Sequence, residues 1–270
     1  MLTRALKDCQ IIIKGAGEMA TGVACRLYRA NFTRILMLET PAPLAVRRRV
    51  SFCEAVFERS MTVEGIDAVR IEAEHELIGV WETRKIAVMV DPQGLSIARL
   101  HPDVLIDATL AKRNLGTSRA AAPLVIALGP GFIAGKDAHL VIETNRGHDL
   151  GRLIHAGEAA ANTGIPGEIG GYTKERVIRS PGPGIFATEK QIGDFLVRGE
   201  LLGKVDSLEV RVQLDGVLRG LIRPGSLVTQ GLKIGDIDPR GEASYCNSIS
   251  EKARSLGGAV LEAILAVYNR

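Results

Sequence analysis

The chain has 270 residues, with 34 basic and 31 acidic side chains and a formal net charge of +3. So small and dispersed a charge leaves no electrostatic footprint for nucleic acid or a membrane surface, and aromatics at 4% offer little for bases to stack on. Hydrophobic residues at 46% beside 24% charged ones suffice for a large core, in one large or two ordinary domains.

The first elements are the most legible. Cys9–Lys14 (CQIIIK) is a short apolar run of β-branched type, the pattern of a strand buried on both faces. A glycine-rich turn, Gly15–Gly22, follows. Then comes a helix over GVACRLYRANF and a second buried strand, Arg34–Glu39. Strand, turn, helix and strand within about thirty residues make a βαβ unit. The spacing predicts a helix over Ala42–Arg59, and Val63–Ile71 reads as a small hairpin. Strands are expected at Ile86–Val90, Val104–Ile106 and Leu124–Leu128, with helical or irregular links between them. Such alternation implies a parallel sheet covered by helices.

The apolar region around 120–134 holds Pro123, Gly129, Pro130 and Gly131, which rules out a continuous membrane helix there. Lys7, Asp8 and Lys14 break any signal-peptide run. Cys9, Cys25, Cys53 and Cys246 form no CxxC pair and no zinc spacing, so a reducing, cytoplasmic setting and no metal site are expected.

Beyond residue 140 glycine and proline cluster and the strands shorten. An internal repeat appears: Gly193–Val205 aligns with Gly225–Ile237 at a spacing of 32, glycine on glycine at three positions. Repeated glycines suggest repeated turns, as in the two halves of a biotinyl/lipoyl-type barrel-sandwich. The link between the halves, beginning at Asp206, has no carrier lysine, so neither biotin nor lipoate attachment is expected. A terminal helix over Ser250–Tyr268 closes the chain. The expected architecture is therefore α/β: a Rossmann-like nucleotide-binding domain (1–140), a small all-β barrel-sandwich domain (141–247) and a C-terminal helix (248–270) packing on the rest.

Chemistry concentrates at a few places. Gly15-Ala16-Gly17-Glu18-Met19-Ala20 fits G-x-G-x-x-G/A: a glycine for the turn, a glycine for close approach of a pyrophosphate, and a small residue where helix meets strand. The helix start would offer free N–H groups to an anion. Glu39 ends the second strand, where an acid can accept from ribose hydroxyls. Lys112 and Arg113 follow the strand ending near Asp107, and Asn145 and Arg146 sit in the polar run Glu143–Asp149; these are candidate phosphate contacts. Cys53, four residues after Arg49, is a candidate activated thiol if the helix is continuous, against the plainer reading of a small core residue. His148 is the local candidate for a general base. Asp236 and Asp238 alternate along a strand and would hold a metal or position Arg240, or simply form an ion pair.

Taken together, GAGEMATG, RRRVSFCEAV, VLIDATLAKRNLGT, ETNRGHDLGR and KIGDIDPRG resemble the YqeB-like accessory proteins of selenium-dependent molybdenum hydroxylases. The Rossmann part is similar to accessory proteins of the XdhC/CoxI type. The resemblance implies a maturation role: binding a nucleotide or molybdopterin-type cofactor and partnering a molybdenum hydroxylase or its maturation proteins. Two other functions fit the residues. An NAD(P)-dependent oxidoreductase would use the same loop, and a non-catalytic scaffold would use the β module for docking. The apolar positions of the last helix would serve either a homo-oligomer or packing on the sheet.

Overall fold

The structure is a computed structural model that describes residues 6–269. The chain divides into two compact units. The first takes in the residues up to Pro43, Ser51–Asn162 and the chain from Ile249 onward; the second comprises Leu44–Val50 and Thr163–Ser248.

The first unit is built on β1 (Ile11–Lys14), α1 (Glu18–Arg29), β2 (Ile35–Glu39), α2 (Ala55–Glu58), β3 (Ser60–Val63), β4 (Ile66–Ile71), α3 (Leu77–Glu82), β5 (Ile86–Val90), α4 (Leu95–Leu100), β6 (Val104–Asp107) and β7 (Leu124–Leu128). It continues with β8 (Ile133–Ala134), β9 (Leu140–Ile142), β10 (Leu153–Ile154) and β11 (Gly157–Glu158). Nine of these strands form one sheet in the order β10-β9-β7-β6-β1-β2-β5-β4-β3. The seven inner strands pair in parallel, while β3 and β10 pair antiparallel at the two edges. Strands β1, β2, β5, β6 and β7 are buried almost throughout, which is why they read as unbroken apolar runs rather than alternating ones. Chain order reverses beside β1: β2 lies on one side and β6 on the other, leaving a crevice at their carboxyl ends.

The second unit holds β12 (Val177–Arg179), β13 (Gly184–Ala187), β14 (Phe195–Leu196), β15 (Leu201–Val205), β16 (Leu208–Arg211), β17 (Gly216–Leu221), β18 (Leu227–Val228) and β19 (Lys233–Asp238). They form two antiparallel sheets, β12-β19-β17-β14 and β16-β15-β13-β18. The sequence repeat is visible in the backbone. Gly193 and Gly199 have φ of +107° and +85°, and their counterparts Gly225 and Gly231 have +83° and +77°. Each copy gives a two-residue strand and then a longer one, and the longer strand of each copy joins the sheet holding the short strand of the other. The enclosed core includes Phe186, Leu202, Leu218 and Ile234. The final element, α5 (Glu251–Tyr268), belongs to the first unit.

Several expectations need correction. The Rossmann domain, barrel-sandwich module and separate terminal helix give way to a mixed α/β fold with one nine-stranded, mainly parallel sheet and separate antiparallel sheets. The sheet does not end at residue 140: β9, read from the sequence as a strand over His139–Ile142, extends it, as does β10, a two-residue segment too brief to announce a strand. The helix expected over Ala42–Arg59 is absent as a continuous element. Ser51 is extended at φ −131° and ψ 118°, and only short helical turns flank it. The stretch passes from one unit to the other, so Arg49 and Cys53 are not neighbours on a helix face. Among the described residues no helix is long and apolar enough to cross a membrane.

Candidate functional site

The loops at the carboxyl ends of the parallel strands converge on the glycine turn. Gly15 has φ +93°, and a Cβ there would lie 3.2 Å from the Ala108 carbonyl oxygen, so the turn rests directly on the loop after β6. Gly17 differs: a Cβ there would meet nothing within 4 Å among the described residues, so packing does not account for its missing side chain. It precedes α1 with no side-chain cap of its own. Ala20 is buried, and Met19 and Glu18 are half-buried.

A buried pair fixes the floor. The Lys14 ammonium lies 3.3 Å from Asp107 Oδ2 and donates to Thr117 Oγ1 at 2.8 Å. Asp107 accepts from the hydroxyls of Thr109 (2.7 Å) and Thr117 (2.5 Å). All of its charge is thus spent holding the loop after β6 against the end of β1. That loop takes a sharp path, with Leu110 and Lys112 at φ +54° and +64°. Gly131, after β7, packs on it: a Cβ there would come within 2.6 Å of the Arg113 backbone nitrogen.

The parallel pairing of α1 and α5 completes the site. Gly22 faces Ala253, and Gly257 faces Gly22 and Arg26, so the helices run side by side in the same direction. Glu18 Oε1 accepts from the Ser250 backbone N–H at 3.1 Å, which ties the two N-termini together. Two positive helix ends therefore lie adjacent. Lys252 sits on the first turn of α5, where a cation is electrostatically out of place. Burial, then repulsion from Lys112 and Arg146, pushes its ammonium down to about 8, against the partial relief of Glu18 and Glu143. Partial desolvation lowers Lys112 as well. Arg146 pairs with Glu251 at 2.7 Å, but its buried Nε finds no hydrogen-bond partner among the described residues. Beyond Glu143 lies a cavity of about 410 Å³ whose lining includes Arg152, Leu153, Ile154 and His155.

The residues singled out from sequence sort unevenly. Arg146 reaches the first turn of α5 through Glu251, and the charges of Lys112 and Arg146 act on the Lys252 amine. Glu39 does not stand free for a ribose: its Oε2 accepts from the Ala16 N–H at 2.9 Å and its Oε1 from Thr40 N–H at 2.7 Å. Cys53 is buried and its backbone N–H donates to the Ala16 carbonyl at 2.8 Å, so it braces the glycine turn from below. Arg113, Asn145 and His148 are exposed, and the Asn145 backbone N–H caps Glu143 Oε1 at 2.6 Å. Asp236 and Asp238 are buried in an arginine and lysine network of the second unit, and no group of three or more metal-ligating side chains occurs among the described residues. Lys252 was the residue missed. Its signal is a lysine in the first turn of a long helix, where acids are favoured.

The burial of Cys53 carries a prediction. Alkylation of the native protein at Cys53 should be slow, rising only under denaturant, because the thiol is 1% exposed. Rapid native modification, mapped by mass spectrometry, would contradict the packing described.

No protein-family profile matches the chain. It is 47% identical over 260 residues to the Uncharacterized protein YqeB of Escherichia coli (strain K12), covering 96% of this chain and 48% of that protein. The chain thus spans about half the length of the curated relative it matches. Solved structures give weak likenesses. An aspartoacylase family protein from Mesorhizobium loti has a TM-score of 0.27 at 12% identity, over 85% of this chain and 84% of that one. A succinylglutamate desuccinylase/aspartoacylase from Rhodobacter sphaeroides has 0.25 at 14% identity, over 85% of each. TcdA (CsdL) has 0.33 at 11% identity, over 98% and 90%.

These findings correct the resemblance drawn from the motifs: the YqeB likeness agrees with the relative, while the accessory role and the XdhC/CoxI likeness find no support. The relative's name assigns no activity, and the structures matched are of other kinds than XdhC/CoxI accessory proteins. The molybdenum hydroxylase maturation reading, with its selenium and molybdenum associations, loses its support. TM-scores this low assign no reaction of their own to the chain.

Proposed function

We propose that the first unit binds a small phosphorylated molecule at the carboxyl edge of its sheet, between the Gly15–Gly17 turn and the paired starts of α1 and α5. The observation that carries this reading is the start of α1, which has no side-chain cap at Gly17 and is tied by Glu18 to the start of α5, whose first turn Arg146 reaches through Glu251 at 2.7 Å. A phosphoryl group would accept from the amides beyond Gly17 and engage the cations Lys112, Arg146 and Lys252. The Lys14–Asp107 pair would hold the loops without touching the ligand.

Calorimetric titration of the whole chain with adenosine monophosphate and with inorganic pyrophosphate, at pH 7 and low salt, tests it. Binding is expected, weakening as salt rises. Lys112→Ala and Arg146→Ala should each weaken it about tenfold, the loss of one charge-assisted hydrogen bond. Affinity unchanged by either substitution, or no binding at millimolar ligand, would overturn the assignment.

A further inference from the structure

Arginines gather at a second place in the first unit, further along α1 from the glycine turn. We propose that Arg26, Arg29 and Arg254 form a binding site for a doubly charged tetrahedral oxyanion, either a free ion or the phosphoryl end of a small ligand. The site is separate from the one at the glycine turn, and the inference does not depend on that reading.

The three side chains line one cavity of about 140 Å³, which Gly22 and Ile249 complete. That volume is far below the roughly 300–1,000 Å³ of pockets that enclose organic ligands, and it suits one small ion. Helix pairing puts the arginines there. Arg26 and Arg29 are three residues apart on α1 and share a face. Arg254 comes from the first turn of α5. Gly257, three residues after Arg254, lets the helices close: a Cβ there would lie 2.9 Å from the Arg26 Cβ. The Arg26 stem thus starts beside the row of α5 that holds Arg254.

One carboxylate serves these cations, and it does not line the cavity. Glu64 stands at φ +47° in the two-residue turn between β3 and β4, where glycine or asparagine is the ordinary choice. Its Oε2 accepts from Arg29 Nη2 at 3.0 Å, and its Oε1 accepts from the Ile249 N–H at 2.9 Å and from Arg254 Nη2. Burial opposes its ionisation, but the Ile249 amide and the two guanidiniums override this and hold the carboxyl below its ordinary value. Both oxygens are therefore spent. Glu64 is a positioning residue: it grips Arg29 and Arg254 by one nitrogen each, Nη2, and leaves the Nε and Nη1 hydrogens of both for another acceptor. Arg26 has no acidic partner among the described residues. Three cations against one carboxylate leave two positive charges in excess, and arginine cannot shed a proton to relieve them. A dianion balances that excess, and its oxygens match the forked N–H pairs of guanidinium groups.

The test follows the arginine Nε–Hε signals of the whole chain by nuclear magnetic resonance at about pH 6.5, assigned with Arg26→Lys, Arg29→Lys and Arg254→Lys. Inorganic sulfate and glycerol 3-phosphate are the probes, with chloride at matched ionic strength as the control. All three guanidiniums are exposed, so saturation is expected at millimolar sulfate and should weaken as salt rises. The signals of Arg26, Arg29 and Arg254 should shift together along one curve with sulfate and not with chloride. Arg26→Ala should weaken sulfate binding about fivefold, the scale of one exposed ion pair, and Arg26→Glu should abolish it. Arg26 is exposed, so neither change should disturb the fold, which circular dichroism checks. Lys112→Ala should leave the three shifts intact. Equal shifts with glycerol 3-phosphate would make this a site for phosphoryl groups, and shifts with sulfate alone a site for the free ion; both outcomes support the assignment. Signals that stay fixed at millimolar sulfate, that respond equally to chloride, or that still respond at Arg29 and Arg254 in Arg26→Glu would overturn it. So would loss of the response in Lys112→Ala, which would place the anion at the glycine turn.

Discussion

Asp236→Asn should cost the second unit about 3–5 kcal/mol of stability, the scale for breaking a buried ion pair from one side. Asp236 lies on β19 with no solvent exposure. Its Oδ1 accepts from Arg176 Nη1 at 2.7 Å and from Lys233 Nζ at 2.9 Å, while its Oδ2 takes the Arg219 guanidinium. Arg219 also reaches Asp238 at 3.2 Å, and Arg240 closes on Asp238 at 2.7 Å. Removing one carboxylate charge therefore leaves three cations on a single neutral amide. Burial opposes ionisation of Asp236, but Lys233, Arg219 and Arg176 together override it and hold the carboxyl well below the usual carboxylate range. The stability from this depressed ionisation is present above about pH 4, the unfolded value, and is lost as pH falls through the native one. Urea denaturation followed at several pH values should show wild-type stability dropping steeply in acid and the Asn variant lacking that component. A variant within 1 kcal/mol of wild type would mean that the cations are satisfied by other groups.

That network marks the reach of the sequence. Alternation along a strand brings Asp236 and Asp238 to one side, and the sequence alone left them open to a metal, an arginine or a simple ion pair. What decides is Arg176 and Arg219, 60 and 17 residues away, delivered respectively by the segment before β12 and by β17. Local pattern serves best where burial is uniform: β1, β2, β5 and β7 stand out as apolar runs, and the 32-residue glycine repeat reappears as matched positive φ angles. It fails where two local signals compete. The stretch over 42–59 has helical spacing, yet Leu44–Val50 docks in the second unit, where Arg47 donates to the Tyr245 and Ser248 carbonyls at 2.8 and 2.9 Å. Glu39 stands where a ribose acceptor belongs, yet its carboxylate caps the glycine turn itself. Of the candidate site, the turn, Lys112 and Arg146 are readable from the chain. Lys252 is not, because only the parallel pairing of α5 with α1 carries it there.

That pairing can be tested by filling its closest contact. Gly22→Val should destabilise the first unit by about 3 kcal/mol or more and weaken phosphate binding in whatever protein remains folded. A Cβ on Gly22 would sit 2.7 Å from the Ala253 Cβ and 2.8 Å from the Ala253 carbonyl oxygen. Both atoms belong to the facing helix, so neither can swing aside. The helices must separate, and the Gly257 contact with the Gly22 carbonyl separates with them. Valine would otherwise gain a few tenths of a kcal/mol over glycine in a helix interior, far too little to offset the clash. Gly258, one residue further along α5, supplies the opposite sign. A Cβ there meets nothing within 4 Å among the described residues, so Gly258→Ala should raise stability by up to about 1 kcal/mol through helix propensity alone. Chemical denaturation of both variants distinguishes a requirement for close approach from a general effect of glycine. The consequence for function follows from position: a displaced α5 takes Lys252 away from Lys112 and Arg146, so its ammonium should titrate nearer the ordinary lysine range. A Gly22→Val protein with native stability and native phosphate affinity would show that the two helix starts need not be held together for the site to work.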